Sequence, residues 1–286
     1  MEFAREVHEH YQRAYALGIK NQQDKKKQHL PVCPAARNTL LDEKMVSYSL
    51  DLGILKIPTN LIVGADEEAE KTMLYTKGFL PVSAPNSEYA DCWRSLYHAL
   101  HSDAHFAEEI TCYEYLGKFY VRDGLKRVSV SKYAGVPSMK AHVIRILPLH
   151  TGDQEVSLYF DFLKQYRFTQ LYQLQFTQPG FFEKLQHALG RNPAYLWSDS
   201  DRESFLRYWP SIEHAFRRSY GDSLRISAAD ALVVLTDQYS FDQIKSMDSW
   251  VLARVFQTLW KELYALSFPG KGIELANHKS DVLQTA

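Results

Sequence analysis

The residues with the clearest potential for chemistry are consecutive. The run from Asp123 to Arg127 reads DGLKR and follows an apolar segment that is typical of a strand. If a helix begins after this turn, main-chain N–H groups point out of its N-terminus and attract anions. Those groups would belong to Gly124, Leu125, Lys126 and Arg127. With the two cations beside them, residues 123–127 are predicted to bind phosphate or another anion.

A second interpretation of the same run has no ligand. Asp-Gly is a favoured pair for a two-residue hairpin turn, and the valines at 128 and 130 alternate with serines as in a strand. In that hairpin the two cations would lie on an ordinary surface. Periodicity leaves both interpretations open. Residues 119–145 carry six Lys or Arg and one Asp, a local excess of positive charge that favours anions.

The elements that must position this run are indicated by apolar periodicity. A broad apolar face with helical spacing follows Ser87, and the Leu116-Gly117 pair suits a tight hairpin. Strands are predicted over residues 57–63, 110–115, 118–122 and 140–147, and helices over residues 2–28, 39–50 and 87–101. The sequence therefore predicts a small mixed sheet with helices around the run.

Beyond residue 150 the pattern becomes helical. Ser198 with Asp201, and Ser227 with Asp230, have the spacing of helix N-caps. Helices are predicted over residues 156–166, 181–189, 198–220, 231–238 and 249–266. We therefore expect an α+β protein. Its predicted parts are an N-terminal helical arm (1–50), a mixed domain (51–150), a helical domain (151–268) and a flexible tail (269–286).

The composition bounds the classes of function. The chain has 286 residues, of which 45% are hydrophobic and 23% charged, with a formal net charge of −1. Such a protein does not attract nucleic acid as a whole, so a DNA contact would need a local patch. Cys33, Cys92 and Cys112 lie far apart, which fits a reducing compartment. Without an apolar leader or a long apolar window, we expect a cytoplasmic protein that does not contact a membrane.

The central run resembles the signature of the ParB/sulfiredoxin-like superfamily, in which a strand precedes G-x-x-R and a helix follows. The corresponding positions here are Gly124, Arg127, Val130 and Gly135. A wider stretch, from LPV at residues 30–32 through IPTNLIVG to VIRILP, resembles a bacterial branch of proteins with a ParB-like nucleotide-binding domain. The resemblance covers about residues 1–150.

The resemblance implies a ParB/sulfiredoxin-like small mixed sheet and a nucleotide site. In that superfamily the helix N-terminus and the arginine hold the phosphates of CTP or ATP. Several positions depart from the family. Leu125 stands where sulfiredoxin has its catalytic cysteine, RILPLHTGD replaces the segment that ParB uses for CTP hydrolysis, and an acidic loop at residues 65–71 replaces a basic one. Here this acidic loop would weaken phosphate binding or demand Mg²⁺.

Three functions follow. The first is a ParB-like nucleotide- or phosphate-binding regulatory protein that need not hydrolyse its ligand. The second is a DNA-binding transcriptional or partition-like regulator, and the third an ATP-dependent small-molecule kinase with Asp123 or Glu114 as catalytic base. The expected partners are a nucleotide, DNA and a second copy of the chain. His98, His101 and His105 have helical spacing, but we interpret them as an exposed helix end rather than a metal site.

Overall fold

The computed structural model of the chain describes residues 2–36, 46–66, 73–102, 109–220 and 223–269. The chain divides into two compact units, Met1–Ser157 and Leu158–Ala286. The first contains a mixed sheet with helices and the described part of the second is helical, so the predicted α+β class is confirmed. No helix in the described ranges is both long enough and apolar enough to cross a membrane.

Along the described part of the chain, the first unit has a helix, three strands, a second helix, two strands, a third helix and a last strand. A 3₁₀ turn at Thr59–Leu61 separates its second and third strands. The elements are α1 (Glu2–Lys27), β1 (Ala35–Ala36), β2 (Val46–Pro58), β3 (Ile62–Ala65), α2 (Glu88–His101), β4 (Ile110–Tyr115), β5 (Lys118–Asp123), α3 (Leu125–Tyr133) and β6 (Ser138–Pro148).

Within the described residues the strands form one mixed sheet in the order β1-β3-β5-β4-β6-β2. β1, β3 and β5 are parallel, β4 is antiparallel to β5 and parallel to β6, and β2 is antiparallel to β6. Leu116 and Gly117, with φ of 50° and 74°, form the predicted tight turn between β4 and β5. This topology brings the C-terminal ends of β1, β3 and β5 to the same sheet edge as the start of β4.

Helix–helix packing fixes the position of α3. The Trp93 indole N–H on α2 donates to the Ser129 hydroxyl on α3 at 3.0 Å, and both residues are fully buried. The Tyr11 ring on α1 lies edge-on to Trp93 with ring centroids 5.3 Å apart. The shared core contains Val7, Tyr11, Ala14, Tyr75, Tyr89, Ala90, Trp93, Tyr97 and Val130. The N-terminal helix therefore has a buried face rather than being exposed throughout.

Two predictions upstream of the site need correction. The helix predicted over residues 39–50 is wrong for residues 46–50, which begin β2; residues 39–45 lie outside the described ranges. The strand predicted over residues 57–63 is interrupted, because β2 ends at Pro58 and β3 begins only at Ile62. The antiparallel partner β6 pairs with β2 along its length, and this long-range pairing decides the structure there.

The second unit is built from helices whose starts are set by caps. Ser227 and Asp230 form a complete capping box, and Ser198 pairs with Asp201 in the same way. Pro210 lies inside a helix without ending it, and the helix predicted over residues 249–266 divides at Leu259. The helices are α4 (Gln154–Thr169), α5 (Phe181–Ala188), α6 (Asp199–Tyr220), α7 (Ala228–Thr236), α8 (Phe241–Ser246), α9 (Ser249–Thr258) and α10 (Trp260–Ser267).

Candidate functional site

The stretch around residues 123–127, on which the predicted anion site depends, forms the end of a strand, a one-residue turn and the start of a helix. β5 ends at Asp123, Gly124 is the N-cap, and α3 extends from Leu125 to Tyr133. The hairpin interpretation is therefore wrong. Val128 and Val130 are buried residues of α3 and not members of a second strand, and Val130 packs in the core that α3 shares with α1 and α2.

Gly124 is needed at this turn for two reasons. Its φ of 100° lies in the left-handed region, which side chains rarely adopt. A Cβ at this position would also lie 2.6 Å from Cγ2 of Ile110, the first residue of β4. The glycine thus lets the chain reverse tightly against the neighbouring strand and leaves the start of α3 without a capping side chain.

The start of α3 presents the groups that bind anions. The first i to i−4 bond of the helix runs from the Val128 N–H to the Gly124 carbonyl at 3.0 Å. The main-chain N–H groups of Leu125 and Lys126 precede this bond and so have no partner within the helix. The residues from Gly124 to Arg127 are all half-buried, so a ligand can reach them from solvent. The macrodipole adds a partial positive charge at this end.

The two cations beside this helix start are held in different ways. The Arg127 guanidinium donates through Nη1 to the Glu109 carbonyl at 2.8 Å, which fastens the helix start to the beginning of β4. The Lys126 ammonium lies 5.6 Å from the centroid of the Tyr89 ring. Burial raises the pKa of Tyr89 far above its ordinary value, so the ring under Lys126 stays neutral. Both cations are therefore positioned at the turn by contacts with other elements.

Two carboxylates belong to the same sheet edge. Asp66 directly follows β3, and its N–H donates to the Val121 carbonyl at 2.8 Å. Asp123 ends β5 two residues after Val121, which is about 7 Å along an extended strand. Asp66 and Asp123 therefore both lie at this end of the sheet, just beyond the paired residues Ala65 and Val121. One or two carboxylates together with substrate phosphates are the usual ligands of Mg²⁺.

The other proposed base, Glu114, lies elsewhere. Glu114 is fully buried on β4. Asp123 pairs with Thr111 of β4, and Glu114 lies three residues beyond Thr111, so Glu114 is about 10 Å from the Asp123 position. Its Oε1 accepts from the Gly117 N–H at 2.8 Å, and its Oε2 accepts from Arg145 Nε in a buried ion pair. Glu114 and Asp123 are thus not brought together, and Glu114 serves the hairpin and the sheet.

The local excess of positive charge is spread over more than one place. Arg145 is 8% exposed and paired inside the sheet, and Arg122 lies over the Tyr113 ring at 5.9 Å. Lys132 lies at the other end of α3, over the Phe79 ring. Lys126 and Arg127 are therefore the cations of this stretch that the structure places at the helix start.

The remaining sequence candidates do not join this site. His101 Nδ1 lies 2.9 Å from the Tyr97 carbonyl, and His98 Nδ1 lies 3.3 Å from the Ser102 hydroxyl, so both histidines engage their own helix end. His105 and residues 67–71 of the acidic loop lie outside the described ranges. Asp66 is the residue that sequence reasoning did not single out. Its position directly after an apolar strand was the available signal, because parallel strand ends share an edge.

The N–H groups and cations at the start of α3 have the chemistry that attracts an anion, and among the described residues this arrangement shows no nucleophile with an adjacent base. Cys112, on the neighbouring strand, is fully buried, and burial raises the pKa of its thiol to about 12, which keeps it protonated. Comparison with known proteins identifies no relative: no family model matches the chain, and no curated protein matches it significantly.

Proposed function

We propose that the first unit binds the phosphates of a nucleotide, CTP or ATP, at the start of α3, and that the protein is a ParB-like regulatory protein. The observation that carries the proposal is the turn itself. A glycine with positive φ joins a strand to a helix whose leading N–H groups lie beside Lys126 and Arg127. This is the arrangement by which glycine-rich turns and helix N-termini hold phosphate.

Magnesium is part of the proposal because of the acidic residues at the same edge. Asp66 and Asp123 would repel a bare triphosphate but attract one that carries Mg²⁺. When bound, the ion would neutralise phosphate charge, while Lys126 and the helix N-terminus would orient the phosphates. We therefore expect nucleotide binding to require Mg²⁺.

Binding without turnover is the form of the proposal that the site favours. Asp123 is exposed at the strand end, and Glu114 is enclosed in its pair with Arg145. A ligand that is held but not consumed suits a regulatory protein whose conformation depends on nucleotide. The separated cysteines Cys33, Cys92 and Cys112 are all free, which fits the reducing cytoplasm as the place of action.

The proposal is tested by thermal shift and calorimetric titration with CTP and ATP, each with MgCl₂ or with EDTA. A ligand at about 100 times its Kd stabilises the fold by about 2.7 kcal/mol, which corresponds to a rise of several degrees in the melting midpoint. We expect this rise with one of the two nucleotides in MgCl₂ and its loss in EDTA. If neither nucleotide shifts the midpoint, the site does not bind nucleotide.

A pair of lysine variants on one helix locates the ligand. Lys126→Gln removes the cation at the helix start, and we expect binding to weaken about tenfold or more, since a charge-assisted hydrogen bond is lost. Lys132→Gln removes the same charge near the other end of α3 and should leave affinity nearly unchanged. Equal effects of the two variants would show that the ligand responds to general charge and not to this turn.

A further inference from the structure

The second unit has a groove between α6 and α9 that is independent of the α3 site. It has a volume of about 320 Å³. Its lining residues are Arg218, Ser219, Trp250, Ala253, Arg254 and Gln257, and we call it the Arg218–Arg254 groove. The first two residues belong to the last turns of α6, and the other four belong to α9.

The α9 side of the groove is one helix face. Trp250, Arg254 and Gln257 are spaced i, i+4 and i+7, so their side chains follow one another along that face. The Arg254 guanidinium lies 4.9 Å from the centroid of the Trp250 ring. Leu252 and Phe256, on the other side of the helix, are buried in the core of the unit. Trp250, Arg254 and Gln257 are therefore side chains that the fold does not use for its core, whereas Ala253 between them is buried.

Cross-helix hydrogen bonds hold the floor of the groove in place. The Ser219 hydroxyl lies within hydrogen-bond distance of the Ala215 carbonyl on its own helix (2.9 Å) and of the Ala253 carbonyl on α9 (3.1 Å). The Tyr220 hydroxyl donates to the Phe256 carbonyl, also on α9. These contacts fix α6 against α9 at the groove. A ligand would meet a preformed surface and would not have to order it.

The groove is positively charged. Arg218 and Arg254 are exposed and no acidic residue lines the groove. In the described part of the chain, neither arginine has a carboxylate within ion-pair distance, whereas neighbouring Arg217 pairs with Glu213 at 3.0 Å. Two guanidiniums that have no carboxylate partner among the described residues can each bind a carboxylate in bidentate fashion.

Trp250 adds an apolar anchor at the same place. Its exposed fraction is 57%, whereas Trp93, Trp197 and Trp209 are at most 5% exposed. Tryptophan and arginine are the residues most enriched among those that dominate binding energy in protein interfaces. An indole this exposed, held beside an arginine, fits a partner that covers it with an apolar side chain.

The number of cations separates two classes of partner. A nucleic acid gains affinity because each phosphate that a cation neutralises releases counterions. If Arg218 and Arg254 each contacted one phosphate, the affinity for nucleic acid would fall only roughly tenfold between 50 and 200 mM salt. Proteins that hold nucleic acid through this effect make more such contacts. One or two carboxylates, by contrast, match two arginines.

We propose that the Arg218–Arg254 groove binds an acidic segment of a partner protein, with two carboxylates at Arg218 and Arg254 and an apolar side chain on Trp250. The experiment uses a labelled peptide in which glutamates flank a Leu-Phe pair, and a second peptide in which glutamines replace the glutamates. Binding to the full chain is followed by fluorescence anisotropy, and protection of Trp250 by acrylamide quenching.

We expect the glutamate peptide to bind and to reduce quenching, and the glutamine peptide to bind at least about tenfold more weakly. Arg254→Gln should weaken the glutamate peptide by a similar factor. Arg207→Gln, a matched change at an exposed position of α6 outside the groove, should have no effect. The melting midpoint of each variant confirms that it is folded.

Three outcomes would overturn this proposal. They are equal binding of the two peptides, no binding of either, and tighter Arg254-dependent binding of an oligo-dT strand, which would make the groove a nucleic-acid site. Lys126→Gln serves as a further control. Because it changes only the α3 site, it should leave peptide affinity unchanged whether or not the first unit binds nucleotide.

Discussion

At the scale of single residues, the candidate site depends on Gly124 and Arg127. The glycine permits the reversal between β5 and α3, and the arginine ties the start of α3 to the Glu109 carbonyl. Arg127 thus has a structural contact in addition to the role that the sequence predicts for it. A guanidinium has five N–H donors, and Arg127 uses Nη1 for the Glu109 carbonyl.

We expect Gly124→Ala to lower the free energy of unfolding by about 2–4 kcal/mol, since the left-handed φ costs about 1–2 kcal/mol and crowding of Ile110 adds to it. Gly135→Ala is the matched control. Its φ of 69° is also positive, but a Cβ there would meet nothing within 4 Å. Gly135→Ala should therefore lower the free energy of unfolding only by the about 1–2 kcal/mol that the positive φ costs. Urea denaturation of both variants measures the difference, and equal losses would show that Ile110 can move aside.

The order of β5, Gly124 and α3 could be inferred from the sequence only through the family resemblance. Local periodicity allowed a hairpin equally well, because the alternation from residue 128 to 131 suits a strand. Helix packing decided otherwise: Trp93 donates to Ser129, and Val130 enters the core shared by α1 and α2. Such contacts join residues far apart in the chain, so no local pattern contains them.

At the scale of elements, helix starts were more predictable than the long edge strand. Ser198 and Ser227 cap their helices where the sequence placed them, because a cap involves only residues a few positions apart. For β2, by contrast, the sequence prediction of a helix over residues 39–50 was wrong at residues 46–50. The apolar residues of this strand at 46, 48, 50 and 52 in fact have a period of two, which is the strand signal.

The packing of α1 gives a prediction at this scale. A Cβ at Gly18 would overlap the Pro81 carbonyl oxygen, because the helix lies directly against that backbone. Alanine is the better helix former by about 1 kcal/mol, yet we expect Gly18→Ala to destabilise the protein, since backbone cannot yield as a side chain can. Gln23→Ala, at an exposed position of the same helix, should change stability by less than about 0.5 kcal/mol. Chemical denaturation distinguishes the two, and a stabilised Gly18→Ala would contradict this packing.

At the scale of the whole molecule, charge is balanced overall and uneven locally. The chain has 33 basic and 34 acidic residues, yet Lys126 with Arg127, and Arg218 with Arg254, form separate cationic places. Each of them lies within its own unit. Function is therefore expected from local fields and not from the net charge.

The charge balance predicts a solubility minimum near pH 7. The formal net charge there is −1, and 11 histidines become protonated as the pH falls, so the charge crosses zero close to neutrality. We expect polyethylene glycol precipitation to require the least precipitant near pH 7 and more at pH 5.5 or 8.5. A minimum far from neutrality would contradict this charge balance.

The sequence by itself determined the α+β class and the helix caps, because these depend on composition and on neighbours within a few residues. Anion binding by residues 123–127 stays a prediction. Only the tertiary structure decided that Asp66 and Asp123 share an edge, that Glu114 is enclosed by Arg145, and that Trp250 and two arginines line one groove. Those relations come from strand order and helix packing. Burial and strand pairing depend on which residues are close in three dimensions. They therefore connect residues that are distant in the chain, which local sequence patterns do not describe.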